Sequence, residues 1–453
     1  MSIQPRPVPE APREWVFPTP ERFELSGGSV AAPFAGLAFD TPGQHVISVR
    51  LAIPLPVTHE PRHVEGIARV FAATLTEGTA ARDAMGFAET VERLGASISV
   101  HSGERALLLD LDVPSRNLEP ALGLLVECLT GATFPEAEVA REVRRAVAGI
   151  ASTRAHPAHR ATIEFAATYY AAGDRLSRPF SGSQESVSAI TREDVLAYAG
   201  ALGPSGSTVV IAGDLGGIDP QRVLGEALGA WTDGLARPES PVVPGELADD
   251  RARIVIVDRP GSVQSELLVG CPGPGRRVEG GWAPYPVLSY LIGGTPNSRL
   301  DAELREKRGF TYGMRSAFRP RSRDGQFVTS GSVRTEVTSD AVAATLEILD
   351  VAREGFMPEE TKAGVDFLVK TAPSRYETAD MIADEAVSRA LDGSDTDEVT
   401  QVLRDTMTLT PDRLQEAYQR YVDGAWTVVV VGDATTFADD LRALGRGDVS
   451  VVE

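Results

Sequence analysis

Hydrophobic and polar positions along the chain fall into two rhythms, and each predicts a kind of element. Residues 45–53 (HVISVRLAI) and 105–113 (RALLLDLDV) alternate with period two and predict strands; Leu107, Leu109, Leu111 and Val113 share one face of the second. Residues 66–77 form an Ala-rich, mostly apolar helix. Residues 84–94 form another, with Phe87, Val91 and Leu94 on one face and Gly95 as its stop. Amphipathic helices follow at 119–129, 136–152 and 192–202, and 208–212 is an apolar strand ending in Gly213-Asp214. The segment 236–250, rich in proline and charge, reads as a linker. The rhythm then resumes with strands at 253–257 and 264–270 and a helix at 282–291. A helix at 298–307 opened by Ser298, a strand at 310–318 and a last strand at 427–431 complete it. Residues 1–22 hold six prolines and read as an extended arm.

The second round copies the first. ITREDV (190–195) and LTPDRL (409–414) lie 219 residues apart, and so do STVVIAGD (207–214) and WTVVVVGD (426–433). Phe134-Pro135-Glu136 and Phe356-Met357-Pro358-Glu359 echo each other at nearly the same offset. An equal spacing at separate places predicts a duplicated α+β chain. Its two homologous domains run over 23–235 and 251–453, each a mainly antiparallel sheet flanked by helices.

Composition narrows the function. Hydrophobic residues make up 42% and charged residues 24% of the 453, enough apolar material for full cores. The net charge of −20 argues against nucleic acid and against anionic membrane surfaces. The N-terminus lacks the apolar core of a signal peptide, and no apolar run approaches the ~20 residues of a membrane helix. The expected location is cytoplasmic. Cys128 and Cys271 are the only cysteines, too few for a disulfide framework or a cysteine-based zinc site.

The strings GIARVFAATLTEGT (66–79), AMGFAETVERLGASISVHSGERALLLDLDVP (84–114) and LIGGTPNSRLDAELREKRGFTYGM (291–314) carry a resemblance. Together with the duplication, they resemble the pitrilysin- and insulinase-like (M16) zinc peptidases, specifically the short-chain branch related to mitochondrial processing peptidase. The resemblance covers residues 23–445. Catalytic members carry His-x-x-Glu-His on the first helix. Its histidines sit one turn apart on one Zn²⁺, and its Glu activates the bound water. The matching positions here are Arg69, Val70, Phe71, Ala72 and Ala73. The family's third ligand, a Glu on the helix after the Phe-Pro-Glu turn, falls on Gly149. Glu142 matches an outer acidic position, but a lone carboxylate holds no zinc. The resemblance therefore implies a degenerate zinc site with no metal in this chain.

The second half keeps what the first has lost. In the family an Arg and a Tyr seven residues apart face the zinc, hold the substrate backbone and stabilise the oxyanion; here they match Arg305 and Tyr312. Leu300 and Leu304 bury one side of their helix, which leaves Arg305 on another face. Gly309 stops the helix, and Tyr312 falls on the following strand. A guanidinium and a phenol are two donors suited to developing negative charge. The purely structural alternatives are an i,i+4 pair of Arg305 with Asp301 and a half-buried strand position for Tyr312. Gly293-Gly294 lacks the Gly-Lys-Ser/Thr ending of a phosphate loop; the family places a Gly-rich bend there, expected to line the substrate chamber.

One string imitates a metal site. His59-Glu60-Pro61-Arg62-His63 spells His-Glu-x-x-His, a motif that needs a helix to bring both histidines to one face. Pro61 breaks such a helix. His45, His101, His156 and His159 show no ligand spacing.

The resemblance implies the non-catalytic subunit of a heterodimeric zinc peptidase. A partner carrying His-x-x-Glu-His would hold the zinc, and two subunits would close around a peptide chamber. A non-enzymatic scaffold of the same fold is the alternative, and a self-sufficient enzyme using His59 and His63 a third.

Overall fold

In the computed structural model, which describes residues 15–25, 34–233 and 244–452, the repeat appears as two six-stranded sheets. The first half runs β1 (Glu21–Leu25), β2 (Phe34–Asp40), β3 (Val46–Pro54), α1 (Ile67–Thr74), α2 (Ala84–Arg93), β4 (Ser97–Ser102) and β5 (Ala106–Pro114). It continues with α3 (Leu118–Gly131), α4 (Glu136–Ala155), α5 (Pro157–Tyr169), α6 (Gln184–Ser188), α7 (Arg192–Ala199), β6 (Thr208–Gly213) and α8 (Pro220–Leu228). The second half opens with β7 (Ile254–Asp258), β8 (Gln264–Pro274) and α9 (Pro284–Ser289). Two π-helical turns follow, Tyr290–Gly294 and Asp301–Lys307. Then come β9 (Arg315–Pro320), β10 (Asp324–Arg334), α10 (Thr338–Val351), α11 (Pro358–Thr371), α12 (Ala379–Asp392), α13 (Asp397–Met407) and α14 (Pro411–Tyr421). The chain closes with β11 (Thr427–Gly432), α15 (Ala434–Ala443) and β12 (Val449–Val452).

Strand order is β1-β2-β6-β3-β5-β4 in one sheet and β12-β7-β11-β8-β10-β9 in the other. Five strands of each match in place and direction, including the parallel pairs β2–β6 and β7–β11 amid antiparallel neighbours. Only the outer strand differs: β1 runs antiparallel to β2, whereas β12 runs parallel to β7. The repeated residues do equivalent work. Thr191 and Thr410 each cap a helix, accepting from the Asp194 and Arg413 amides. Asp214 and Asp433, each following a strand, accept from the Gly43 and Gly261 amides at 2.9 and 2.8 Å.

The halves exchange helices. α12 presents Ala379, Ile382, Ala383, Ala386 and Val387, an i, i+3, i+4, i+7, i+8 stripe, to Leu37, Phe39, Ala52, Val210 and Ala212 of the first sheet. In return, α5 lays Ala161, Phe165 and Tyr169 on Val255, Val257, Leu268, Val328, Val429 and Val431 of the second. Each sheet is thus covered on both faces, its other face packing on its own half's helices. This is why β6 and β11 are unbroken apolar runs rather than alternating ones.

Three expectations shift. The predicted strand at 310–318 begins only at Arg315, so Tyr312 lies in a turn before β9, not on a strand. The segment at 298–307 is helical but widened to π from Asp301 onward. Of the proline-rich arm, residues 1–14 lie outside the described part and a strand begins at Glu21. Before that strand, Trp15 stacks on Tyr376 at 5.3 Å and the Phe17 amide donates to Thr400 at 3.0 Å, tying the arm to the second half. Residues 234–243, which include much of the predicted linker, also lie outside the described part.

Candidate functional site

α1 begins after Gly66, whose φ of 97° only glycine adopts easily and where a Cβ would meet the Ser181 carbonyl at 2.5 Å. Ile67, Val70, Phe71 and Thr74 are buried, so Arg69 is left facing outward. Arg69, Ala72 and Ala73 line a cavity of about 600 Å³ together with Val100, His101 and Ser102 of β4, Glu142, Arg145 and Ala146 of α4, and the Phe180-Ser181 loop. The matched zinc positions on α1 are therefore gathered at one cleft. Gly149, further along α4, is not among its lining residues. Ala72, Ala73 and Gly149 carry no ligand atom, and Arg69 carries a fixed cation. Glu142 is buried and already held by Arg141 at 3.3 Å and Arg145 at 3.7 Å. This donor set does not fit zinc. Among the described residues, no group of three His, Cys, Asp or Glu side chains is placed to hold a metal ion.

The His59–His63 string is not a helix. It folds as two short 3₁₀ turns, Val57–His59 and Arg62–Val64, with Glu60 and Pro61 extended between them. Glu60 turns inward, accepting the Ala68 amide at 3.1 Å and pairing with Arg175 at 2.7 Å, while His63 stays exposed. The carboxylate of this decoy motif anchors the start of α1. Beside it, Glu65 binds Arg178 at 2.8 Å. Burial pushes the Glu65 carboxyl up, but the Arg178 hydrogen bond and the charges of Arg175, Arg178 and Arg62 outweigh this and hold it below the ordinary range.

In the second half, Leu300 and Leu304 are fully buried and the Arg305 side chain is 38% exposed, its one ion-pair partner among the described residues being the neighbouring Glu306 at 3.4 Å. Gly309, at φ 64°, turns the chain so that the Phe310 amide reaches back to the Leu304 carbonyl at 2.8 Å. Thr311 then donates to the Ser332 carbonyl at 2.7 Å and accepts from the Gly313 amide at 3.0 Å. Phe310 and Met314 pack into the core on either side, so Tyr312 is left at the tip of the turn, 93% exposed. It is neither a half-buried strand residue nor part of a core. The alternative partner of Arg305 is likewise engaged elsewhere: Asp301 is fully buried, accepting the Met314 amide at 2.7 Å and pairing with Arg315 at 3.0 Å.

Gly293, inside the first π turn, lies against β9, where a Cβ would be 2.6 Å from the Ser316 amide nitrogen; Gly294 is exposed. Cys128 and Cys271 are both buried, and burial pushes the Cys128 thiol up to about 12 and raises that of Cys271 too, which disfavours the thiolate at both. Arg145, His101 and Phe180 had no signal in local sequence pattern; they join the cleft only through the packing of α4, β4 and the loop after α5.

A family model described as insulinase (peptidase family M16) matches residues 37–181, and one described as peptidase M16 inactive domain matches residues 189–366. An uncharacterized zinc protease of Streptomyces coelicolor is 25% identical over 372 residues, covering 79% of this chain and 78% of that protein. A Helicobacter pylori protein named a non-peptidase homolog is 24% identical over 319 residues, covering 69% and 72%. The crystal structure of a peptidase M16 inactive domain from Pseudomonas fluorescens superposes with a TM-score of 0.81 at 22% identity, over 91% of this chain and 98% of that one.

Proposed function

The chain belongs to the insulinase-like M16 peptidase family, and from that premise we propose that it is the non-catalytic subunit of a heterodimeric zinc peptidase. One asymmetry carries this reading. Every position that would bind zinc or activate water is occupied by Arg69, Ala72, Ala73 or Gly149, while Arg305 and Tyr312 stand on a pinned, solvent-facing segment. A partner carrying His-x-x-Glu-His would hold the zinc. This chain would contribute its two donors, Arg305 to orient the peptide backbone and Tyr312 to hydrogen-bond the developing oxyanion. A phenol that is 93% exposed has no packing role of its own, which suits a group that meets its target in another subunit. The bend at Gly293-Gly294 would form part of the chamber wall.

A scaffold without any hydrolytic partner is the second reading, favoured by the relative named a non-peptidase homolog. The test is reconstitution. The purified chain alone is expected to be inert and to bind no stoichiometric zinc, and mixing with the partner is expected to produce peptide cleavage. A scaffold would yield no cleavage in any mixture.

A further inference from the structure

The cleft on the first half is not filled in by the loss of its metal ligands. It keeps a volume of about 600 Å³, within the range of small-ligand and peptide subsites. Its lining carries two arginines, Arg69 and Arg145. Arg69 stands where the first histidine of the motif would be, and its guanidinium has no acceptor among the described residues. Arg145, 82% exposed, has among the described residues only the distant pairing with Glu142 at 3.7 Å. Glu142 is the one carboxylate lining the cleft. It is buried at 6% exposure and also neutralised by Arg141. Arg69 and Arg145 thus line a concave surface whose remaining wall includes Val100 and Phe180, the latter 45% exposed. On a protein of net charge −20, most of the surface repels anions. This cleft is a place where an anion would instead complete unmet donors.

We propose that the degenerate metal cleft is a carboxylate-binding site, in which Arg69 and Arg145 receive a peptide carboxylate and Val100 and Phe180 receive the apolar side chain beside it. A guanidinium offers paired N–H donors that match a carboxylate, and such charge-assisted bonds are about twice as strong as neutral ones. That the ligand is a peptide rests on the reading above; the preference for a carboxylate rests on these arginines alone. The carboxylate can be the peptide's C-terminus or an acidic side chain.

The experiment uses the full chain without its partner, so its outcome is separate from that of reconstitution. Fluorescence anisotropy is followed with three labelled heptapeptides: one ending in leucine with a free carboxylate, the same peptide amidated, and an amidated peptide ending in glutamate. The free acid is expected to bind about tenfold or more tightly than its amide, the scale of one charge-assisted hydrogen-bond pair. Arg69→Ala should abolish that difference without moving the thermal unfolding curve, because Arg69 is exposed and its side chain makes no hydrogen bond or ion pair among the described residues. Arg69→Lys should keep part of it. Tight binding of the glutamate-ending amide assigns the site to acidic side chains; weak binding assigns it to C-termini. Equal binding of all three peptides, or a carboxylate preference that survives both Arg69→Ala and Arg145→Ala, overturns the proposal.

Discussion

The carboxylate of Asp301 accepts the Met314 amide at 2.7 Å and pairs with Arg315 at 3.0 Å, so the helix that carries Arg305 is pinned to the turn that presents Tyr312. Asp301 is fully buried. Its removal strands the Met314 amide and frees the turn. Asp301→Ala is expected to lower unfolding free energy by about 3 kcal/mol, and Asp301→Asn, which keeps an acceptor, by less. Urea unfolding checks this. If Asp301→Ala costs no more than an exposed substitution, the pin has no energetic content.

The same residue shows where sequence pattern stops being informative. Asp301 and Arg305 have the spacing of a surface ion pair, and the alternation of Phe310, Tyr312 and Met314 is that of a strand. Neither pattern reveals that Asp301 faces inward on a π-widened turn, or that the Thr311 hydroxyl bends the backbone before β9 begins. The elements themselves were legible: α1, α2, β3, β5, β6 and β11 fall where periodicity places them, because each buries a face with a fixed repeat. The duplication was legible for the same reason, since helix-capping threonines and strand-ending Gly-Asp pairs serve identical local roles twice. The exchange of α5 and α12 was not legible. An apolar stripe states that a helix must be covered, not which sheet covers it. The missing zinc ligands could be read directly, because alanine and glycine have no donor atom in any fold. The cleft's arginines acquire meaning only once α1 and α4 are side by side.

Arg50 makes one of the polar contacts between the halves. Its side chain is 7% exposed and sits among Asp384 of α12 at 2.7 Å, Asp112 at 3.0 Å and Asp110 at 3.5 Å. Arg50→Ala leaves these carboxylates facing one another and is expected to cost about 3 kcal/mol. Asp384 is 63% exposed, so Asp384→Ala should cost under about 1 kcal/mol. Equal effects of the two substitutions in urea unfolding would show that the interdomain pair, rather than relief of carboxylate repulsion, dominates.

Glu65 gives the start of α1 an acid limit. Its carboxyl is held below the ordinary glutamate value of 4.5 in the folded chain, so the folded state favours the charged form. The resulting stability is fully present above that ordinary value and is lost as pH falls through the lower folded one. Thermal melts of the wild type and Glu65→Gln should therefore be widest apart near neutral pH and converge in acid. A gap that persists unchanged to the acid end contradicts the ion-pair origin.

Whether this chain lends two donors to an active centre outside itself is read from turnover of the reconstituted pair. Arg305→Ala and Tyr312→Phe should each lower kcat by about a hundredfold to a thousandfold, the range seen when one oxyanion donor is removed. Assembly and the unfolding curve should remain those of the wild type, since Tyr312 is 93% exposed and Arg305 is ion-paired, among the described residues, with its neighbour Glu306 alone. Unaltered turnover in both variants would contradict that donation.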